Sequence, residues 1–272
     1  MKKEKTANGA VLITGAAGGM GNAAAKLLAG EGHPVYGVDL REPEDLSGMT
    51  FFRADLTDPG SVKSVFEKIE AENVRIECIV HAAGIYELDS VIELDEDAWR
   101  RVYDINLNAV WRVNRVFFPL LADGGRIIII TSELAPLDPL PFTGIYAASK
   151  TALDKYADVL RAELSLLGHP VTVLRPGAVD TGLLDVSVEK LEKFCSGTEN
   201  FSVSAERFRR IVDRVEARKI PPGKVADAVL GVMRKKRPPA VKNINRNPLL
   251  LLLNALPAGM RRSIIRIILT KQ

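Results

Sequence analysis

Apolar runs of strand length alternate along this chain with stretches in which apolar residues recur every three or four positions. A first strand is predicted over residues 10–14, followed by a glycine-rich turn and a helix over 19–29. Residues 34–39 and 50–54 read as two further strands, and Val62, Val65, Phe66 and Ile69 set one apolar face on a helix over 59–72. A fourth strand over 75–81 precedes a long helix over 96–121 and a strand over 126–131. The four consecutive isoleucines Ile127, Ile128, Ile129 and Ile130 mark that strand as buried on both faces, as in the middle of a parallel sheet. A helix over 146–167 and a strand over 171–175 follow. Over 180–222 the pattern loosens and turns polar, with one helix predicted near 205–217, as in a long insertion. A last regular helix is predicted over 224–235, an edge strand over 238–242, and two short helices in the tail. The alternation predicts βαβ units in one α/β domain built on a parallel sheet, covering residues 1–246, with a C-terminal helical extension over 247–272.

Composition supports that picture and removes others. A chain of 272 residues, 47% hydrophobic and 26% charged, is neither disordered nor of low complexity. Cys78 and Cys195 cannot build a disulfide framework or a cysteine zinc site, and His33, His81 and His169 are scattered, so no metal is expected. Two cysteines also fit a reducing, cytoplasmic compartment. The net charge of +3 hides an asymmetry: from Arg234 onward there are 10 basic and no acidic residues, which leaves the preceding body at −7. A nucleic-acid-binding domain would be basic throughout, so no nucleic-acid partner is expected. Lys2, Lys3 and Lys5 precede an apolar run too short for a signal-peptide core. Leu249 to Leu253 is likewise far shorter than the roughly 20 residues that span a bilayer.

The chemistry begins in the turn Thr14-Gly15-Ala16-Ala17-Gly18-Gly19-Met20-Gly21, between the first strand and the first helix, where a dinucleotide-binding loop belongs. Gly15 would allow the sharp turn, Gly19 the approach of a pyrophosphate, and Gly21 close packing of helix on strand. The helix N-terminus would offer free N–H groups to the phosphates. Asp39, 24 residues after Gly15 at the end of the second strand, can accept both ribose hydroxyls and repel a 2′-phosphate. NAD is therefore the expected cofactor, although Arg41 could turn toward a 2′-phosphate. Asp55 follows the third strand at the adenine edge. With Thr57 or Asp58 as the cap of the next helix, its carboxylate is left for ligand contact.

Tyr146 and Lys150 stand four apart at the start of a helix, on one face. A nearby ammonium would stabilise the phenolate of a tyrosine that otherwise titrates near 10. Such a phenol can exchange a proton with a carbonyl or alcohol oxygen.

The glycine loop, Asp39, Asp55, Ala83-Gly84, Asn106, Ser132, Tyr146, Lys150 and Pro176-Gly177 occur in an order and spacing that resembles the short-chain dehydrogenase/reductase family. The resemblance runs from about Ala10 to Thr181. It implies a doubly wound Rossmann fold, a nicotinamide cofactor, a small-molecule alcohol or ketone substrate and a homo-oligomer. Tyr146 would be the acid/base, Lys150 would tune it and hold the nicotinamide ribose, Ser132 would bind the substrate oxygen, and Asn106 would help hold a proton-relaying water. Met20, Leu56, Ala83, Gly84, Pro176, Gly177, Val179 and Thr181 join the cofactor-binding set, with 180–222 covering the substrate. Ser132 lies fourteen residues before Tyr146, where the family more often has thirteen, so Glu133 takes the usual position and is expected as a loop acid, the alternative being a contact to a polar substrate. His81 stands where the family usually has an asparagine-rich turn, and is expected to be structural.

In the tail, Ile264, Ile265, Ile268 and Leu269 form an apolar face with Arg261, Arg262 and Arg266 among the polar positions. A basic amphipathic helix of this kind either makes peripheral contact with an anionic membrane or packs over the substrate crevice or a second subunit. The tail style resembles the hydroxysteroid and retinol dehydrogenase-like branch, which implies a lipophilic substrate. The expected activity is NAD(H)-dependent interconversion of a secondary alcohol and a ketone. A cofactor-retaining epimerase or dehydratase, or a non-catalytic NAD-sensing protein that binds a membrane or partner, are the alternatives.

Overall fold

The computed structural model describes residues 9–46, 48–216 and 218–270. Lys2, Lys3, Lys5, Ala217 and Lys271 lie outside the described residues. In chain order the elements are β1 (Ala10–Thr14), α1 (Gly19–Gly30), β2 (Val35–Asp39), β3 (Met49–Arg53), α2 (Pro59–Ala71), β4 (Ile76–His81), α3 (Glu96–Tyr103), α4 (Ala109–Phe117) and β5 (Leu121–Ile130). They continue with α5 (Gly144–Ser165), β6 (Val171–Pro176), α6 (Gly182–Gly197), α7 (Ser202–Glu216), α8 (Gly223–Met233), β7 (Val241–Ile244), α9 (Pro248–Asn254) and α10 (Ala258–Thr270).

Seven parallel strands among the described residues form one sheet in the order β3-β2-β1-β4-β5-β6-β7. The order reverses between β1 and β4, and in open α/β sheets the crevice at the carboxyl ends of such strands is where ligands bind. The isoleucine strand shows why the sheet is sandwiched. Ile127 and Ile129 pack with Val110, Phe117 and Leu153 on one face, while Ile128 and Ile130 pack with Leu28, Val225 and Val229 on the other. Each fully buried side chain of this size contributes roughly 1.5–3 kcal/mol.

Three predicted elements differ. The long helix over 96–121 is broken by a π-turn at Asp104–Asn108, and it ends at Phe117 because Pro119 opens a short 3₁₀ turn and has no N–H to continue the ladder. The edge strand sits at Val241–Ile244, since the prolines at 238 and 239 have no N–H to give a ladder. Residues 180–222 are not a loose insertion. They hold two helices, α6 and α7, whose Leu191, Phe194, Ala205 and Phe208 build a third cluster with Leu88, Phe142 and Leu269. The helix predicted near 205–217 is α7; a polar outer face hid α6 from a hydrophobicity pattern, because that helix buries only a narrow stripe. Leu269 brings α10 into that cluster, so the tail folds back onto α6 and α7, and the Ser204 hydroxyl donates to the Leu269 carbonyl at 3.1 Å. Among the described residues no helix is long and apolar enough to cross a membrane.

Candidate active site

The glycine loop is shaped by what its residues lack. Gly15 has φ +71°, and a Cβ there would stand 2.5 Å from the Ala83 nitrogen, so β1 and the turn after β4 touch only because Gly15 has no side chain. A Cβ on Gly21 would stand 2.1 Å from the Gly15 carbonyl oxygen, which packs α1 directly on the turn. The missing Cβ of Gly19 also makes room for Thr181, whose Cγ2 would be 2.5 Å away, so it joins the loop to the segment after β6.

Asp39 stands at the end of β2, beside the glycine loop. Its Oδ2 accepts from the Ala17 nitrogen at 3.0 Å and its Oδ1 from the Arg41 nitrogen at 3.3 Å, which fixes the carboxylate beside the loop. Asp55 is exposed at the end of the turn after β3, with one carboxylate oxygen engaged. Its Oδ1 accepts from the Thr57 nitrogen and hydroxyl at 2.8 and 2.7 Å, and those bonds hold its pKa below the usual carboxylate value. Asp58, not Thr57, caps α2, accepting from Gly60 and Ser61. Leu56 packs its side chain against the core, and its carbonyl accepts from Arg112.

Below the sheet ends, Asn106 is fully buried in the π-turn. Its amide donates to the Ile85 carbonyl and the Ser149 hydroxyl, both at 3.0 Å, and its Oδ1 accepts from the Ile85 nitrogen at 2.8 Å. With its side chain engaged in this way, Asn106 orders the wall beside Lys150. Gly84 keeps that wall open, since a Cβ there would lie 3.1 Å from Lys150 Nζ.

Tyr146, Ser132 and Lys150 come together, all buried. Ser132 hydrogen-bonds the Tyr146 hydroxyl, a contact that alone would lower the phenol pKa, but burial outweighs it and pushes the group up to about 12. Lys150 Nζ sits 5.7 Å from the Tyr146 ring centroid, and burial brings its pKa down to about 8. The expected lowering of the phenol by Lys150 is therefore not what this geometry gives. The phenol keeps its proton at neutral pH. Pro176, Gly177, Val179 and Thr181 line the same cavity with Met20, and Gly177 must be glycine because a Cβ would stand 2.1 Å from the Asn245 carbonyl oxygen.

Four residues were not legible as site residues. Tyr86 stacks on Tyr146 with ring centroids 4.6 Å apart. Asp154, one turn beyond Lys150, is ion-paired with Arg175 and accepts from Thr131, which ties α5 to β5 and β6. Leu250 of α9 enters the cavity. Glu133 is buried, not a loop acid: its Oε2 accepts from the Asn247 nitrogen at 2.6 Å, and burial raises its pKa. The Ser149–Tyr146–Lys150 register shows none of these partnerships, which join residues as far as 114 positions apart. His81 is structural as expected, buried with Nε2 2.7 Å from Asn114 Oδ1 and its pKa lowered by burial to about 4.

The fit of a nicotinamide dinucleotide rests on the side-chain-free cradle of Gly15 and Gly21, the open N-terminus of α1 and the fixed Asp39 carboxylate. Comparison with known proteins agrees. The family model described as short chain dehydrogenase matches residues 9–192. The chain is similar to the 3-ketodihydrosphingosine reductase of Bacteroides thetaiotaomicron, 28% identical over 232 residues, which cover 84% of this chain and 85% of that protein. It is also similar to the 3-oxoacyl-acyl-carrier-protein reductase FabG of Escherichia coli, 30% identical over 181 residues, 63% of this chain and 74% of that one. In fold it resembles the actinorhodin polyketide ketoreductase solved with NADPH, with a TM-score of 0.71 at 24% identity over 87% of this chain and 95% of that chain.

Proposed function

The chain belongs to the short-chain dehydrogenase family, and from that premise we propose that it reduces a ketone on a lipophilic substrate to a secondary alcohol with NADH. The observation that carries this is the buried Ser132–Tyr146 hydrogen bond beside Lys150, in a cavity walled by Met20, Tyr86, Leu184 and Leu250. A phenol at about 12 keeps its proton at neutral pH and can give it to a carbonyl oxygen held by Ser132. The same groups run in reverse as the alcohol is oxidised. The nicotinamide, when bound, supplies the hydride chemistry that the protein orients.

Gly15, Gly19, Met20, Gly21, Ala83, Gly84, Pro176, Gly177, Val179 and Thr181 would hold that cofactor, with Lys150 near its ribose. Asp39 supports NAD over NADP, because a fixed carboxylate would repel a 2′-phosphate. The solved neighbour that carries NADPH makes NADPH the comparison to run. The similar reductases act, by their names, on a ketosphingoid base and on an oxoacyl chain. They favour an aliphatic ketone over the hydroxysteroid or retinoid that the tail suggested.

The test is consumption of NADH and NADPH with long-chain 3-keto bases, oxoacyl thioesters, ketosteroids and short ketones. Turnover with a lipophilic ketone and NADH is the predicted result. Tight NADH binding with no net consumption on any ketone would overturn it in favour of a cofactor-retaining or sensing protein.

A further inference from the structure

The tail gathers exposed apolar side chains and unopposed positive charge on one part of the molecule. In α9, Leu250 points into the catalytic cavity while Leu249 and Leu252 are 68% and 66% exposed. In α10, Arg261 turns inward to Asp138, and Ile265 and Leu269 seat the helix on α6 and α7. The rest of α10 faces out: Met260, Ile267 and Ile268 are each about half exposed. Along its other flank Arg262 and Arg266, one turn apart, edge a groove of about 640 Å³ floored by Ile92, Leu140, Phe142 and Phe201. No acidic residue lines that groove. None occurs anywhere from Arg234 to the end of the sequence, while the preceding body carries −7.

Solvent-facing leucines and isoleucines beside guanidinium groups are costly in water and complementary to a surface with an apolar interior and anionic heads. A second copy meeting this face in a two-fold contact would oppose four guanidinium groups. Single-stranded nucleic acid is held by aromatic platforms, and the outward side chains here are aliphatic. We propose that the α9–α10 tail is an interfacial docking element for an anionic bilayer. Leu249, Leu252, Met260, Ile267 and Ile268 enter the acyl boundary, and Arg262 and Arg266 lie at the phosphates. Since Leu250 belongs to the same short helix as Leu249 and Leu252, docking sets the mouth of the catalytic cavity at the depth where lipophilic ketones partition. The docking itself is independent of the substrate assignment, because its readout is binding.

The experiment is co-sedimentation of the full chain with phosphatidylcholine vesicles, with and without phosphatidylglycerol, at low and high salt. Two double variants run beside it, Leu249→Ser with Leu252→Ser, and Arg262→Gln with Arg266→Gln. All four side chains are exposed, and thermal unfolding confirms that each variant is folded. Binding to the anionic vesicles that weakens with salt and falls roughly tenfold or more in the arginine variant is the expected result. The leucine variant loses binding at low salt as well. Absence of wild-type binding, equal binding to neutral vesicles, or full retention by both variants would overturn the proposal. So would self-association, in sedimentation velocity without vesicles, that the leucine variant abolishes.

Discussion

The Glu133 carboxylate accepts a hydrogen bond from the main-chain nitrogen of Asn247 at 2.6 Å, and Asn247 in turn caps α9 by accepting from Leu249 and Leu250. The residue after Ser132 is thus coupled to the helix that puts Leu250 in the cavity. The segment after β5 and the tail form one unit.

Glu133→Ala leaves the buried Asn247 nitrogen without its partner and should cost about 1–3 kcal/mol, with a raised KM as Leu250 loosens. Glu133→Gln keeps an acceptor and removes a buried charge. Burial raises the Glu133 pKa, so the carboxylate's desolvation is absent at pH values below its unfolded pKa and grows as pH rises through the folded one. Denaturant titrations should therefore show the glutamine variant gaining on wild type as pH rises from acid to neutral. A parallel offset at every pH would refute the cause assigned here.

Lys150 should make the fold less stable where it makes the enzyme active. Its folded pKa of about 8 lies below the ordinary 10.5, so the unfolded chain binds the proton more tightly. Wild-type stability is reduced below pH 8 and recovers as pH rises toward 10.5. Lys150→Met should be inactive yet more stable at neutral pH, by up to roughly 3 kcal/mol, with the gain shrinking over that window. Unfolding curves that coincide at pH 7 would count against it.

His81 predicts acid sensitivity. Its pKa of about 4 in the fold, against 6.5 unfolded, means that the unfolded chain gains a proton first as pH falls. Stability should drop between those two values, by up to roughly 3 kcal/mol. The slope should flatten in His81→Met, even if that variant starts lower for want of the Asn114 hydrogen bond.

Asp39 should govern the cofactor. Replacing it with serine removes a carboxylate fixed by Ala17 and Arg41, and the NADH to NADPH ratio of kcat/KM should fall by roughly tenfold or more. An unchanged ratio would assign the choice elsewhere.

Features written in short spans of sequence were legible. The glycine loop, Asp39, the isoleucine strand and the Tyr146–Lys150 pair each depend on local spacing, and they placed the sheet and the centre of the site. What was missed depends on long-range packing. The π-turn at Asp104–Asn108 exists to bury Asn106 against Ile85 and Ser149, and no local pattern encodes that. That Gly19 also makes room for Thr181, far along the chain, is likewise not written in the loop. α6 was hidden because its deeply buried described residues are few, Ser187, Leu191 and Phe194, and one of the three is polar. Glu133 resembled a loop acid until Asn247 came to meet it.

The most direct measurement is the Tyr146→Phe variant, with NADH affinity followed by fluorescence and ketone reduction followed on the same protein. The account predicts that NADH binding is retained while kcat falls roughly 10²–10⁴-fold, since the proton donor is gone and the cradle is intact. Reduction at an undiminished kcat would contradict it, because the proton would then come from a group other than the phenol held by Ser132.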